Sequence, residues 1–231
     1  MKGAIGVDTD FQVTSVKAII FDLDGVLCNT EPLHVRSWQV LFARKGIHVP
    51  ESRIWAGVGI TDTEMLKAWF REFNITDSIH SWEVEKRNIY LMLLQQDVPE
   101  FPGAVNLVRQ LSWNWPLGLA SSAWRAAAEI SLRKLAIRDH FQVLVAKEDV
   151  TSHKPAPDPY LMAATNLGVR PSQCVAIEDS PAGIAAAKQA GMACIGITNS
   201  FSADRLKEAD FVIGSLEHTD PIFAFLTGRK V

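Results

Sequence analysis

The 231-residue sequence predicts an α/β fold, a parallel sheet with helices on both faces and an all-helical domain inserted after the first strand. Three patterns lead there. Short, wholly apolar runs recur along the chain, and such runs suit strands buried on both faces. In the second half they alternate with helical patterns, as they do where crossover helices cover a parallel sheet. Over residues 31–98, by contrast, helical periodicity continues without a convincing strand.

The first apolar run, Ala18-Ile19-Ile20-Phe21, stops at the acidic turn Asp22-Leu23-Asp24-Gly25. The next stretch reads as helices over 33–45, 62–73 and 81–96. Pro32 on one side and Pro99 and Pro102 on the other interrupt helices and so mark its limits. A core domain is expected over residues 1–31 and 99–231, with the helical domain over 32–98. Four of the seven tryptophans, Trp38, Trp55, Trp69 and Trp82, lie in the insertion and are expected to fill its small core. Beyond it, strands are expected at 116–120, 141–146, 174–177, 193–197 and 210–213. Helices are expected at 104–111, 124–135, 159–167, 181–190 and 203–208.

A chain of this length, set against a domain unit of about 150 residues, is one large domain or a domain with an insertion. The net charge of −3 gives no electrostatic reason to expect a nucleic acid or other polyanion as partner. No run reaches the roughly 18 consecutive apolar residues of a membrane span. Cys28, Cys174 and Cys194 form no C-x-x-C pair and are too few for a disulfide framework, which fits small core residues in a reducing compartment. Residues 1–16 lack the basic start, apolar middle and cleavage site of a secretory signal, and Asp8 and Asp10 oppose a transit peptide, so they read as a short extension. A cytoplasmic monomer is the expectation.

In a parallel α/β sheet, ligands bind beyond the carboxyl ends of the strands, so the polar residues just after each apolar run are the first candidates. These are Asp22 and Asp24, Ser121 and Ser122, Lys154, and Glu178 with Asp179. Asp22, Asp24, Glu178 and Asp179 in one crevice would repel unless a cation sits among them, and an all-oxygen set suits Mg²⁺. A metal beside an aspartate, with the Lys154 ammonium, would neutralise the charge that keeps a carboxylate from attacking a phosphoryl group. Ser121 and Ser122, at the start of a helix, offer hydroxyls and N–H groups to a phosphate. The set describes phosphoryl transfer through an aspartyl-phosphate, with the second aspartate as general acid and base. Each piece taken alone has a plainer reading: Asp-x-Asp-Gly is a common turn, the serines are helix caps, and Asp179-Ser180-Pro181 is a cap followed by proline. Their position after successive strands of one sheet is what joins them. A calcium loop is excluded because its next acidic position falls on Val26, and no phosphate-binding P-loop, nucleophile elbow or zinc-ligand spacing occurs.

Four segments in order resemble the motifs of the haloacid dehalogenase-like hydrolases, in the β-phosphoglucomutase-like phosphatase branch with a helical cap. They are Phe21-Asp22-Leu23-Asp24-Gly25-Val26-Leu27, Leu119-Ala120-Ser121-Ser122, Lys154-Pro155-Ala156-Pro157-Asp158, and Ile177-Glu178-Asp179-Ser180-Pro181-Ala182-Gly183-Ile184. The resemblance covers nearly the whole chain from Lys17 to about Ile213. It implies a Rossmann-like core and a set of roles. Asp22 becomes the nucleophile, Asp24 the general acid/base and a metal ligand through its backbone oxygen, and Ser121 and Lys154 the phosphate contacts. Asp179 becomes a Mg²⁺ ligand, with Glu178 in or near its shell. Thr30 and His34 match positions linking the first motif to cap closure, and Lys86, four residues before Tyr90, resembles a cap lysine that reaches the active site.

The departures from that pattern bear on the reaction. Where the mutases carry an arginine after a cap Gly-x-Ser, this chain has Gly57-Val58-Gly59-Ile60, and where they continue Ala-Ser-Lys-Asn it has Ser122-Ala123-Trp124-Arg125. Arg125 is the one substitute phosphate anchor among these, because Ile60, Ala123 and Trp124 cannot bind a second phosphate by charge. Without a clamp for a bisphosphate, water becomes the acceptor. The expected function is therefore a Mg²⁺-dependent phosphatase for a small phosphorylated metabolite, a sugar or polyol phosphate. The alternatives are a β-phosphoglucomutase and a non-catalytic phosphometabolite sensor.

Overall fold

The computed structural model describes residues 15–57 and 60–229; residues 1–14 of the expected extension, together with Val58 and Gly59, lie outside the described residues. The described chain divides into two compact units, one built from the residues up to Asn29 and from Pro99 onward, the other from Thr30–Val98.

The first unit is built on six parallel strands: β1 (Ala18–Phe21), β2 (Leu117–Ala120), β3 (Phe141–Val145), β4 (Cys174–Glu178), β5 (Ala193–Ile197) and β6 (Phe211–Ile213). Their order is β3-β2-β1-β4-β5-β6. The chain steps outward from β1 through β2 to β3, then returns to the other side of β1 to lay down β4. That reversal leaves a crevice at the carboxyl ends of β1 and β4. The two strands that flank it are buried at every residue, which is why they read as unbroken apolar runs, whereas the edge strands β3 and β6 each include less buried positions.

Helices α5 (Ala104–Ser112), α6 (Arg125–Lys134), α7 (Asp158–Leu167), α8 (Pro181–Gln189) and α9 (Thr219–Thr227) belong to the same unit, numbered after the four of the insertion. α7 and α8 pack on the sheet through small side chains, Ala163, Ala164, Ala186 and Ala187, against Ala18, Ala120, Ala176 and Cys194. Such residues let helix and sheet approach closely. Cys28, Cys174 and Cys194 are all buried and free, as the expectation of small core residues requires. The helix expected at 203–208 is one 3₁₀ turn, Ala203–Arg205. Leu206 and Ala209, three residues apart, are the buried pair of that segment. The Asp210 carboxylate, bonded to the Cys194 N–H at 2.8 Å, then draws the chain into β6. α9 was not expected from the sequence; it buries Ile222 and Leu226, four residues apart, and stacks Phe225 on Phe211.

The second unit is helical: α1 (Glu31–Arg44), α2 (Glu51–Trp55), α3 (Asp62–Glu72) and α4 (Ile79–Gln96). Its core holds Trp38, Phe42, Trp69, Phe70 and Trp82 among aliphatic side chains. The rings meet edge to face, Phe42 on Trp69 at 4.7 Å and Phe70 on Trp82 at 5.0 Å between centroids, the orientation that ring quadrupoles favour. α3 opens with a reciprocal cap between Thr61 and Glu64. Trp55 departs from the expectation: the five-residue α2 buries Ile54, which turns Trp55 outward to bond Glu51 at 3.1 Å through its indole N–H. Among the described residues, no helix is long and apolar enough to cross a membrane.

Trp82 is fully buried and donates its indole N–H to Asp77 at 2.9 Å. Trp82→Ala is expected to cost the helical unit about 3–5 kcal/mol. Circular dichroism during urea unfolding should show part of the helix lost early; a midpoint equal to the parent's would mean the core does not depend on this ring.

Candidate active site

The site begins where β1 ends. The Asp22 N–H still bonds the Ile177 carbonyl of β4 at 3.0 Å, so the main chain stays in the sheet to the residue that bears the first carboxylate. The chain then folds tightly, with the Leu23 carbonyl accepting from the N–H groups of Leu27 at 2.8 Å and Cys28 at 3.1 Å, while Asp24 bridges to Cys28. Gly25 takes a left-handed φ of +87°, and a Cβ there would lie 1.8 Å from Oδ2 of Asp179. Glycine is therefore required twice at this turn, for its backbone angle and for the space it leaves a carboxylate.

Glu178, the last residue of β4, is fully buried and holds five hydrogen bonds. Its Oε1 accepts from Lys154 Nζ at 2.6 Å and from the Tyr160 hydroxyl of α7 at 2.9 Å. Its Oε2 accepts from the N–H groups of Asp179 at 3.1 Å and Ser180 at 3.2 Å, and from the Ser180 hydroxyl at 3.0 Å. The same serine caps α8 by accepting from the Gly183 N–H. A Cβ at Gly183 would lie 1.8 Å from Glu178 Oε1, so the first turn of α8 is shaped around this carboxylate. Lys154 completes the cluster with a 2.5 Å bond to Asp22. Asp22, Lys154, Glu178 and Asp179 are thus brought together, as their positions after successive strands suggested.

One carboxylate oxygen from each of Asp22, Glu178 and Asp179 lies within 4.8 Å of the other two. Burial pushes the Asp22 carboxyl well above its ordinary range; the Lys154 ammonium pulls it back down, and the charges of Glu178, Asp179 and Asp24 raise it further. Burial, followed by the Glu178 charge, pushes Asp179 up to about 7. Lys154 is held protonated, because Asp22 and Glu178 together outweigh the burial that opposes its charge. Three carboxylates around one ammonium leave the cluster short of positive charge, and its donors are all oxygen. That chemistry fits a hard divalent cation such as Mg²⁺. Glu178, with both oxygens already engaged, orients the cluster, while Asp22 and Asp179 have oxygens to offer.

Ser121 is buried just beyond β2, where its N–H bonds the Val145 carbonyl and its hydroxyl accepts from the Ala123 N–H at 3.0 Å. Ser122 is exposed. The helix that was to cradle a phosphate starts at Arg125, with Trp124 as its N-cap residue. Its first N–H is bonded to both oxygens of Glu148 at 3.0 Å, so a carboxylate of the chain already occupies that positive end. Arg125, the substitute phosphate anchor that a mutase reading would use, pairs with Asp149 and the Leu144 carbonyl. Sequence spacing cannot show this pairing, because Asp149 is 24 residues away and reaches Arg125 only through the return of β3.

In the helical unit, Thr30 is buried at the head of α1 and receives the His34 N–H on its carbonyl at 3.0 Å. The His34 ring stacks on Tyr90 with centroids 3.9 Å apart. Burial, with the Lys86 ammonium beside it, holds this imidazole well below its ordinary range, so it is neutral. Its Nδ1 accepts from Lys86 Nζ at 3.0 Å, which leaves Nε2 to carry the proton. Lys86 is also paired with Asp62 at 2.9 Å and lies over the Trp38 and Tyr90 rings. The sequence did not offer Tyr160 and Ser200, whose hydroxyls bond Glu178 and Asp179 in the sheet unit, nor Asp62, which pairs with Lys86 in the helical unit. The scarcity of tyrosine was the available signal, since one of the two in the chain meets Glu178 and the other His34.

The sequence matches the haloacid dehalogenase-like hydrolase family over residues 19–197. It is 34% identical to validoxylamine A 7'-phosphate phosphatase of Streptomyces hygroscopicus subsp. limoneus, over 87% of this chain and 94% of that protein. It is 33% identical to the fructose-1-phosphate phosphatase YqaB of Escherichia coli K12, over 78% of this chain and 95% of that protein. The fold aligns with the crystal structure of β-phosphoglucomutase from Clostridium difficile at a TM-score of 0.73 and 30% identity, covering 91% of this chain and 96% of the other.

Lys154→Met leaves Asp22 and Glu178 buried without their ammonium and is expected to destabilise metal-free protein by about 3–5 kcal/mol at neutral pH, read from urea unfolding. A change under 1 kcal/mol would mean that water or rearrangement compensates the pair. The raised Asp179 carboxyl predicts a slope as well. A carboxyl that binds its proton more tightly when folded adds stability at low pH and loses it as pH rises through about 7. In metal-free protein, Asp179→Asn should flatten that part of the melting-temperature profile, and an unchanged slope would assign the titration elsewhere.

Proposed function

The chain belongs to the haloacid dehalogenase-like hydrolases, and from that membership we propose that it is a Mg²⁺-dependent phosphatase hydrolysing a small phosphorylated metabolite, a sugar or polyol phosphate, in the cytoplasm. The observation that supports this most is the convergence of Asp22, Glu178 and Asp179, all buried, around Lys154 at the strand-order reversal. Asp22 attacks the phosphorus, the bond to the leaving oxygen breaks, and Asp24 gives that oxygen a proton. Asp24 then takes a proton from water as the water attacks phospho-Asp22, releasing phosphate and restoring the Asp22 carboxylate. Asp22, Asp179 and the Asp24 backbone oxygen would hold Mg²⁺, which when bound would supply charge neutralisation at the phosphoryl group. Lys154, bonded directly to Asp22, balances the same charge, and Ser121 offers its hydroxyl to a phosphoryl oxygen.

Water is favoured as the acceptor over a second sugar phosphate. A mutase must hold a distal phosphate while the first is on Asp22, and Arg125, the substitute anchor that the sequence offers, is paired with Asp149. The substrates named for two relatives, validoxylamine A 7'-phosphate and fructose 1-phosphate, include a sugar phosphate and support that substrate class for this chain.

A panel of sugar and polyol phosphates with Mg²⁺, followed for free phosphate, should give phosphate from several members and none with EDTA. β-Glucose 1-phosphate with a trace of glucose 1,6-bisphosphate belongs in the panel, because rapid glucose 6-phosphate with little free phosphate would establish a mutase instead. Asp22→Asn is expected to lower turnover by a factor on the order of 10⁴–10⁶ with the fold retained. Turnover near the parent's would remove Asp22 as nucleophile.

A further inference from the structure

The loop after β5 supplies two side chains that none of the four motif segments contains. Asn199 donates its amide Nδ2 to the Gly25 carbonyl at 2.8 Å, and Ser200 donates its hydroxyl to Asp179 Oδ2. One loop therefore grips both the turn that carries Asp24 and the carboxylate that follows β4. The three parts are in close register: a Cβ on Gly25 would lie 1.8 Å from Asp179 Oδ2 and 2.8 Å from Ser200 Oγ. Ser200 is exposed, so filling the core is not its role.

We infer that Ser200 is a positioning residue for metal binding, holding one oxygen of Asp179 by its hydroxyl so that the carboxylate presents the other to the cation, with Asn199 keeping the Asp24–Gly25 turn in step. Carboxylates that bind metals are commonly oriented by a hydrogen bond of this kind, and its loss loosens the ligand without removing it. The inference rests on the Mg²⁺ reading of the site. It adds a residue from a fifth strand loop to a site otherwise built from the loops after β1, β2, β3 and β4.

The test is divalent-ion affinity of the full chain without substrate, by calorimetry with Mg²⁺ and by electron paramagnetic resonance with Mn²⁺. Ser200→Ala is expected to weaken both by about 10-fold while the melting temperature of the metal-free protein stays at the parent's, and Ser200→Thr to restore them. Asp179→Asn serves as the reference for loss of a ligand. If Ser200→Ala binds as the parent does while Asp179→Asn does not bind, the role of Ser200 is overturned and the metal site stands. Weakening that threonine fails to restore, or that comes with a lower melting temperature without metal, makes Ser200 structural and overturns the inference too. A parent protein that binds neither ion would bring down the metal reading itself and this inference with it.

Discussion

A fully buried carboxylate at the end of a central strand is the constraint around which the sheet unit is arranged. Removing Glu178 from water is costly unless every lone pair finds a donor. Its five donors come from the loop after β3, from α7, from the turn after β4 and from the serine that caps α8. Each is held by backbone structure that would otherwise be free to vary. The same requirement explains Gly183, since a side chain there would occupy the space of the carboxylate.

Lys154 links this structural charge to the chemical one. Its ammonium bonds Glu178 on one side and Asp22 on the other, so the group that satisfies the buried glutamate also sets the position and charge of the proposed nucleophile. The balance is deliberately incomplete in physical terms: three carboxylates against one ammonium leave Asp22 and Asp179 pushed above their ordinary ranges by burial and mutual repulsion. A site that stores unfavourable charge in this way gains from binding a cation. The helical unit solves a similar problem differently. Its buried Lys86 is matched by Asp62 and by a neutral imidazole, which accepts a hydrogen bond without adding charge.

Much of the fold and the positions of the acidic and basic candidates that converge were legible in the sequence. Strands buried on both faces must be apolar throughout, and they stop where polar groups are needed, so Asp22, Ser121 and Glu178 announce themselves by position. Elements set by weaker or longer-range terms were not legible. The 203–208 segment has helical composition, yet burial of Leu206 and Ala209 and the anchoring of Asp210 leave it only a 3₁₀ turn. Trp55 reads as core by type, but a five-residue helix has one buried face and Ile54 takes it.

What the sequence determined by itself was the set of parallel strands, the helical insertion and the identity of the groups at the strand ends, because these follow from local periodicity and from the chemistry of single side chains. Only the tertiary structure decided which polar groups meet. Arg125 finds Asp149, Lys86 finds Asp62, Tyr160 finds Glu178 and Ser200 finds Asp179 across separations of 18 to 24 residues. Pairing of that kind depends on distances fixed by sheet order and helix packing, and it falls off too steeply with separation in space to be read from separation along the chain.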